Sequence, residues 1–351
     1  MDYLDLIERR GYSFRLVQAV LRDQDLPTAQ GWEPLKEKVQ GLANAKDPKF
    51  IEKLKSITID LTLYAEKAVA LFPLSNTEAL NIPAILGGIK PAGMYATNFP
   101  FLLSDAALTA QPTSLQPAHH LLTGQKLGNL VFATKFYETT RAKIEVADFN
   151  SIPAELQGYD EVIAIRRTIK QLFHLVTLRA TKKGNFFLEI RLDTVAKMVE
   201  DDFRKGFRAV RRWMNKQYAS AFGVDDLLDQ EVNMFPAIKG LYAAADGRVR
   251  HLGSTTTSAS VKQERMRSKF HDLRMEPFHV AGQKVTALDS YSIDKNWDSW
   301  LGSGQPSVIV PGKVADISSD DPHVGMVFVD GAGSIDDFEL VMEKLIDSLG
   351  L

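Results

Sequence analysis

The stretch from His174 to Gly223, HLVTLRATKKGNFFLEIRLDTVAKMVEDDFRKGFRAVRRWMNKQYASAFG, decides the fold. His174 to Arg179 and Phe186 to Leu192 have the composition and alternation of β-strands. Between them Lys182-Lys183-Gly184-Asn185 supplies a glycine-bearing turn, so the two read as a hairpin. The period changes after Leu192. Val195, Val199, Phe203, Phe207, Val210 and Met214 recur three or four residues apart, one apolar stripe of a helix over 193–223. Asp193 stands where an N-cap belongs. Strands followed by a helix is the order of an α+β layer rather than of repeated βαβ units.

Upstream, Leu130 to Tyr137 and Ala142 to Phe149 flank a short polar turn and read as another hairpin. Glu161 to Arg167 reads as a separate strand. Residues 1 to about 75 read as helical. The best of that region follows Asp47-Pro48, with Phe50, Ile51, Leu54, Ile57, Leu61, Tyr64, Ala68 and Leu71 keeping helical spacing up to Pro73. Between Ser75 and Gln125 five prolines and Gly87-Gly88 break the pattern, which predicts an irregular but packed connection. Downstream, Ile238 to Ala245 and Arg248 to Leu252 flank Asp246-Gly247, a hairpin signal. Further strands are expected at Lys284 to Ile293, Ser307 to Val310 and Gly325 to Val329, with a last helix capped by Ser334. Trp297 and Trp300, in a polar segment, read as small-domain core, with a surface platform as the alternative.

The expected fold is therefore α+β, an N-terminal helical region followed by a mixed, largely antiparallel sheet domain with flanking helices. Its parts are residues 1–75 (helical), 76–127 (irregular, packed), 128–260 (antiparallel strands and a long basic helix) and 261–351 (α/β, continuous with the preceding part).

Composition is that of a globular protein, 45% hydrophobic and 25% charged over 351 residues. The absence of cysteine excludes disulfides, thiolate catalysis, Cys-bound zinc and iron–sulfur clusters. The first residues, MDYLDLIERRGYSF, lack an apolar core, so no signal peptide is expected. No apolar run reaches the roughly 18 to 20 residues needed to span a bilayer. The expected location is cytoplasmic, with no membrane partner and no cofactor.

The net charge of −2 hides an asymmetry. Glu161 to Lys216 holds 14 Lys/Arg against 6 Asp/Glu, and Arg248 to Arg274 holds 7 against 2. Arg204, Arg208, Arg211 and Arg212 share one face of the helix, and Arg166, Arg167, Lys182 and Lys183 precede it. Such arrays attract phosphate backbones, because each neutralised phosphate releases condensed counterions, and arginine adds bidentate geometry. The alternative is a solvated helix face paired with Glu200, Asp201 and Asp202 one turn earlier.

A second candidate anion site is Gly253 to Ser260, GSTTTSAS, leading into VKQERMRSKFHDLR. Ser260 with Gln263 forms a capping box, so Ser254, Thr255 and Thr256 are expected near a helix N-terminus, with Lys262, Arg265 and Arg267 beside them. The alternative is a polar loop. No GxxxxGK[ST] is present. Asp330-Gly-Ala-Gly333 reads as a tight strand-to-helix turn rather than a dinucleotide loop.

His271 and His279 with Asp272 and Glu276 could meet a metal only through the fold, since Pro277 breaks any HExxH geometry. Adjacent His119 and His120 point apart in regular structure. Asp160 with Glu189-Ile-Arg191 and Asp193 resembles the acid…Glu-x-Lys arrangement of restriction-type nucleases, which implies Mg²⁺ held by carboxylates. Arg191 replaces the lysine and cannot act as a general base, so Glu189 and Arg191 are expected on the solvent face of the strand.

These readings predict a nucleic-acid-binding protein or complex subunit that contacts phosphate through the basic helix and the Ser/Thr-rich loop. The helical N-terminal region is a candidate contact for a protein partner. The alternatives are a Mg-dependent nuclease or other phosphate-ester enzyme, and an assembly protein whose basic face binds an acidic protein partner.

Overall fold

The computed structural model describes residues 3–41, 48–123, 127–144, 155, 159, 161–299 and 304–351. Asp47, the distal part of the expected strand to Phe149, Asp160 and Trp300 lie outside the described residues. The fold is α+β: ten antiparallel strands in one sheet, with helices on both faces and a helical N-terminal region.

That region is α1 (Tyr3–Arg10), α2 (Phe14–Asp23), α3 (Trp32–Gln40) and α4 (Pro48–Tyr64). Their apolar stripes share one core built from Leu4, Ile7, Val17, Leu21, Leu35 and Leu61. The helical spacing does not continue to Leu71. The chain leaves α4 at Tyr64, and Lys67–Leu74 forms β1, a strand in the middle of the sheet. An unbroken apolar run of this length suits a strand buried on both faces as well as a helix. Here Ala68, Ala70 and Phe72 face one core and Val69 and Leu71 the other.

The connection from Ser75 is less irregular than its prolines suggest. It carries α5 (Asn76–Gly88), α6 (Gly93–Asn98), α7 (Asp105–Ala110) and β2 (Gln116–Thr123). Ser75 and Glu78 close a reciprocal capping box that starts α5. The two expected hairpin strands around Glu138–Arg141 are instead one strand, β3 (Leu127–Ile144). Glu138-Thr-Thr-Arg141 has no Gly, Asn or Pro for a tight turn, and its threonines favour extended backbone. The two strands expected between Glu161 and Arg179 are likewise one, β4 (Val162–Ala180). It turns through Gly184, whose φ is +84°, into β5 (Phe186–Asp193).

The basic helix α8 spans Glu200–Phe222, not 193–223. Asp202 accepts a hydrogen bond from the Val199 backbone N–H at 3.0 Å, and Gly223, at φ +72°, ends the helix. Asp193 is therefore the last residue of β5 rather than a cap. Ile238–Ala245 is also not a strand, because Ala237–Ala243 forms α9. The Lys295 ammonium donates to Leu241 O and Ala244 O at 2.8 Å each, so it closes the C-terminal end of α9.

From there β6 (Arg248–Thr256) pairs with β7 (Val261–Arg265), followed by α10 (Pro277–Gln283), β8 (Leu288–Asn296), β9 (Ser307–Val310), α11 (Val314–Ile317), β10 (Val327–Asp330) and α12 (Ile335–Leu349). Pro277 opens α10 instead of breaking a helix. The strand order is β2-β3-β4-β5-β1-β10-β9-β8-β6-β7. One face packs α5 and α8 on Phe72, Phe132, Leu188 and Ile190. The other packs α4, α9 and α12 on Val69, Leu71, Ile293 and Val329. No helix among the described residues is long and apolar enough to cross a membrane.

Two buried charge clusters fix this second face. At the first, the Asp193 carboxylate accepts from the Arg10 guanidinium, from Lys67 Nζ at 2.9 Å and from the Phe173 N–H at 3.0 Å. Burial alone would push its pKa up, but Arg10 and Lys67 outweigh that and hold it at about 2. His174 Nδ1 accepts from the Asp193 N–H at 3.1 Å, so that nitrogen carries no proton. At the second cluster Glu189 sits between Arg179 and Arg191, and Glu339 of α12 takes Arg179 in a bidentate pair at 2.7 and 2.9 Å. Arg191 also stacks over the Phe338 ring at 3.8 Å. Glu189 and Arg191 are thus buried, not solvent-facing, because α12 supplies the countercharge.

Burial lowers the His174 pKa to about 4, against the partial opposition of Asp193. Between about 6.5 and about 4 the unfolded chain takes up a proton that the folded one refuses, so this residue's contribution to stability falls as pH drops through that window. Denaturant midpoints measured from pH 7 to 4 should fall less steeply for His174→Gln than for the parent. Identical slopes would show that His174 is protonated in the fold. Glu189→Ala should destabilise the protein by roughly 3–5 kcal/mol, because it leaves two buried guanidinium groups to share Glu339 alone. A change below about 1 kcal/mol in urea denaturation would show that the cluster is hydrated.

Candidate nucleic-acid interface

Strands β3 and β4 outrun their neighbours. β2 pairs with β3 only as far as Ala133, and β5 pairs with β4 only from Leu175. From Thr134↔Leu172 to Ile144↔Val162 the two strands pair with each other alone. At about 3.4 Å per residue this is a two-stranded ribbon roughly 35 Å long. Its root is pinned by the segment before β2. Leu103 N–H donates to Gln171 Oε1 at 2.9 Å, Lys135 Nζ to Thr109 O at 2.6 Å, and Thr134 Oγ1 to Thr113 O at 3.0 Å.

Cations dominate the ribbon. β4 brings Arg166, Arg167 and Lys170, and β3 brings Lys135, Arg141 and Lys143. Lys143 is paired with Glu161 at 3.1 Å. Among the described residues, Arg166, Arg167 and Lys170 have no carboxylate within ion-pairing distance. Apolar groups lie exposed between them, with Tyr137 47%, Ile163 50% and Ile165 58% accessible.

At the root, between α1, α7 and β4, lies a cleft of about 950 Å³. Arg9, Arg10, Arg166, Arg167 and Lys170 line it against one carboxylate, Asp105. Arg10 is the guanidinium that holds Asp193, so that ion pair also sets the position of the α1 wall. Among the described residues, Arg10 Nη1 and Gln171 Nε2 are buried donors without an acceptor.

The other sequence-predicted residues do not join this surface. Lys182 pairs with Glu343 at 3.1 Å and Lys183 donates to Gly350 O at 2.8 Å, both against α12 and the chain end. On α8, Arg204 pairs with Glu200 at 2.6 Å, and Arg211 donates to Asp229 O at 2.7 Å. Arg208 and Arg212 are exposed. α8 covers the face of the sheet opposite the cleft.

The hydroxyl run is not at a helix N-terminus. Ser254, Thr255 and Thr256 lie in β6, and Lys262 and Arg265 lie in β7, because Val261–Arg265 alternates as an edge strand. Thr256 Oγ1 accepts from the Ser260 N–H at 3.2 Å and meets Ser258 Oγ at 2.9 Å, so these hydroxyls close the β6–β7 turn on itself. Arg267 follows β7, exposed. β7 is seven strands from β4, roughly 30 Å or more.

Of the residues that resembled a nuclease set, Glu189, Arg191 and Asp193 are engaged in the two buried clusters, and Asp160 lies outside the described residues. His279 Nδ1 meets Glu264 at 2.9 Å and its Nε2 meets Tyr242 OH at 2.8 Å. His119 stacks on Phe99, while His120 Nε2 faces Ile89 O at 2.6 Å. No group of three or more His, Asp or Glu among the described residues could hold a metal ion. No protein family, curated protein or solved structure matches the chain.

Sequence reasoning missed Arg9, Arg10, Lys135 and Arg141. The alternation Lys135-x-Tyr137-x-Thr139-x-Arg141-x-Lys143, which puts five side chains on one face of a strand, was a readable signal for the last two.

Proposed function

We propose that the protein binds nucleic acid through the β3–β4 ribbon and the basic cleft at its root. The observation that carries this reading is the set of unpaired cations Arg166, Arg167 and Lys170 on a ribbon that stands clear of the sheet. A two-stranded ribbon has the cross-section that a duplex major groove admits. Phosphate contacts from the ribbon and cleft would position the nucleic acid, with Tyr137 and the exposed isoleucines offering apolar contact to sugar or base. The surface is narrower than the one the sequence suggested. It draws on β4 and α1, and leaves α8, Lys182, Lys183 and the β6–β7 hairpin outside.

Fluorescence anisotropy with labelled duplex DNA, duplex RNA and single strands tests it. Affinity should fall steeply with salt for at least one of them. Arg166→Glu with Arg167→Glu should weaken binding at least tenfold and lower the log–log salt slope by about 2. Lys182→Glu and Arg212→Glu should leave both quantities nearly unchanged. Absence of binding at low salt, or equal loss from all four substitutions, would remove the ribbon from this role.

A further inference from the structure

On the opposite face of the sheet a second hollow opens between α8 and the segment 311–328. Its floor is central sheet, Ala70 and Phe72 of β1 and Phe328 of β10, walled by Phe203 and Phe207 of α8. Phe203 and Phe328 meet edge to face, with centroids 5.2 Å apart. The volume, about 470 Å³, lies in the range of small-molecule sites rather than of macromolecular grooves. An apolar floor with a few charged groups at the rim is the usual composition of such a site.

The rim charges are unequal. Arg204, Arg208, Arg211 and Lys313 stand against Glu200, Glu231 and Asp316, with His323 beside them. Each carboxylate already has a partner. Glu200 lies between Arg204 and Lys313, Asp316 accepts from the Lys313 N–H at 2.6 Å, and Glu231 faces His323 at 3.6 Å. Arg211 is turned to the Asp229 carbonyl. Arg208 has no hydrogen-bond or ion-pair partner among the described residues, and it lies one turn from both Arg204 and Arg211. A surplus guanidinium at the mouth of a phenylalanine-lined pocket matches a ligand with two parts.

We infer that this pocket binds a small aromatic anion, with its ring on Phe328 of the floor against the Phe203 wall and its acidic group on Arg208. Neither part suffices alone. An inorganic anion leaves the floor wet, and a neutral arene leaves Arg208 facing only Asp201, a carboxylate already paired with Lys205. The site is independent of the ribbon, which continues β3 and β4 past their sheet neighbours and contributes no residue to the pocket.

Titration of the full-length protein with 1-anilinonaphthalene-8-sulfonate, an aromatic sulfonate, tests the inference by fluorescence. Saturable one-to-one binding is expected. Arg208→Ala should weaken it at least about tenfold, as loss of a charge-assisted hydrogen bond does. Ala70→Leu should abolish it by filling the floor, and Met198→Glu, on the half-buried wall, should weaken it by repulsion without entering the core. Competition by AMP would identify a nucleotide as the natural source, and competition by benzoate alone an aromatic carboxylate. Non-saturable dye binding, or affinity unchanged in Arg208→Ala and Met198→Glu, would overturn the assignment.

Discussion

The structure depends on the buried carboxylate of Asp193. Desolvating a carboxylate costs several kcal/mol unless the geometry of its partners is good. Here the partners come from three other elements: Arg10 at the end of α1, Lys67 at the start of β1 and the Phe173 N–H within β4. The sheet supplies the charge, and the helical region supplies one of the two cations that make it tolerable. The first helix is therefore docked in one orientation, which apolar packing alone would specify less sharply. That docking forms a wall of the basic cleft, since Arg9 and Arg10 both line it.

The same strand carries the second cluster two and four residues earlier. In β5 the odd positions Glu189, Arg191 and Asp193 point to the α12 and α1 side, while Leu188, Ile190 and Leu192 point to α8. Both faces are buried, but only one is apolar. α12 satisfies the upper pair through Glu339 and stacks Phe338 under Arg191. The β5 strand thus acts as the junction where the N-terminal helices, the C-terminal helix and the sheet are held in register.

How much of this was legible follows from what each signal measures. Alternation fixed β5 as a strand and the Gly184 turn as its entry, and the helical stripe from Phe203 to Met214 is the face that packs on the sheet. Alternation cannot say what lies over the polar face, so charged positions of β5 read as solvated when they were covered by charges distant in sequence. The run Lys67–Leu74 failed differently, because a short apolar segment fits either period. Ile238–Ala245 misread because the lysine that closes its helix end comes from β8, more than fifty residues later. The Ser75 and Glu78 spacing that starts α5 is a capping-box pattern, a signal the prolines after it obscured.

The same distinction governs the candidate site. Cation density along the chain named Arg166 and Arg167, which lie on the ribbon, together with sequence neighbours that the fold places elsewhere. Residues close in sequence were sent to opposite faces, Arg204 to Arg212 over one and Arg167 over the other, while Arg9 came from the far end of the chain. A linear charge cluster becomes one surface only if its elements share a face and its members lack local carboxylates. Arg166 and Arg167 meet the second condition because the β3–β4 ribbon runs past the described elements that could neutralise them, and Arg167 also shares its ribbon face with Lys135, Arg141 and Lys143. Lys182 fails through Glu343, and Arg204 through Glu200. The geometry therefore separates two cationic surfaces that the linear sequence ran together: an exposed two-stranded ribbon, and the rim of an aromatic-floored pocket of about 470 Å³.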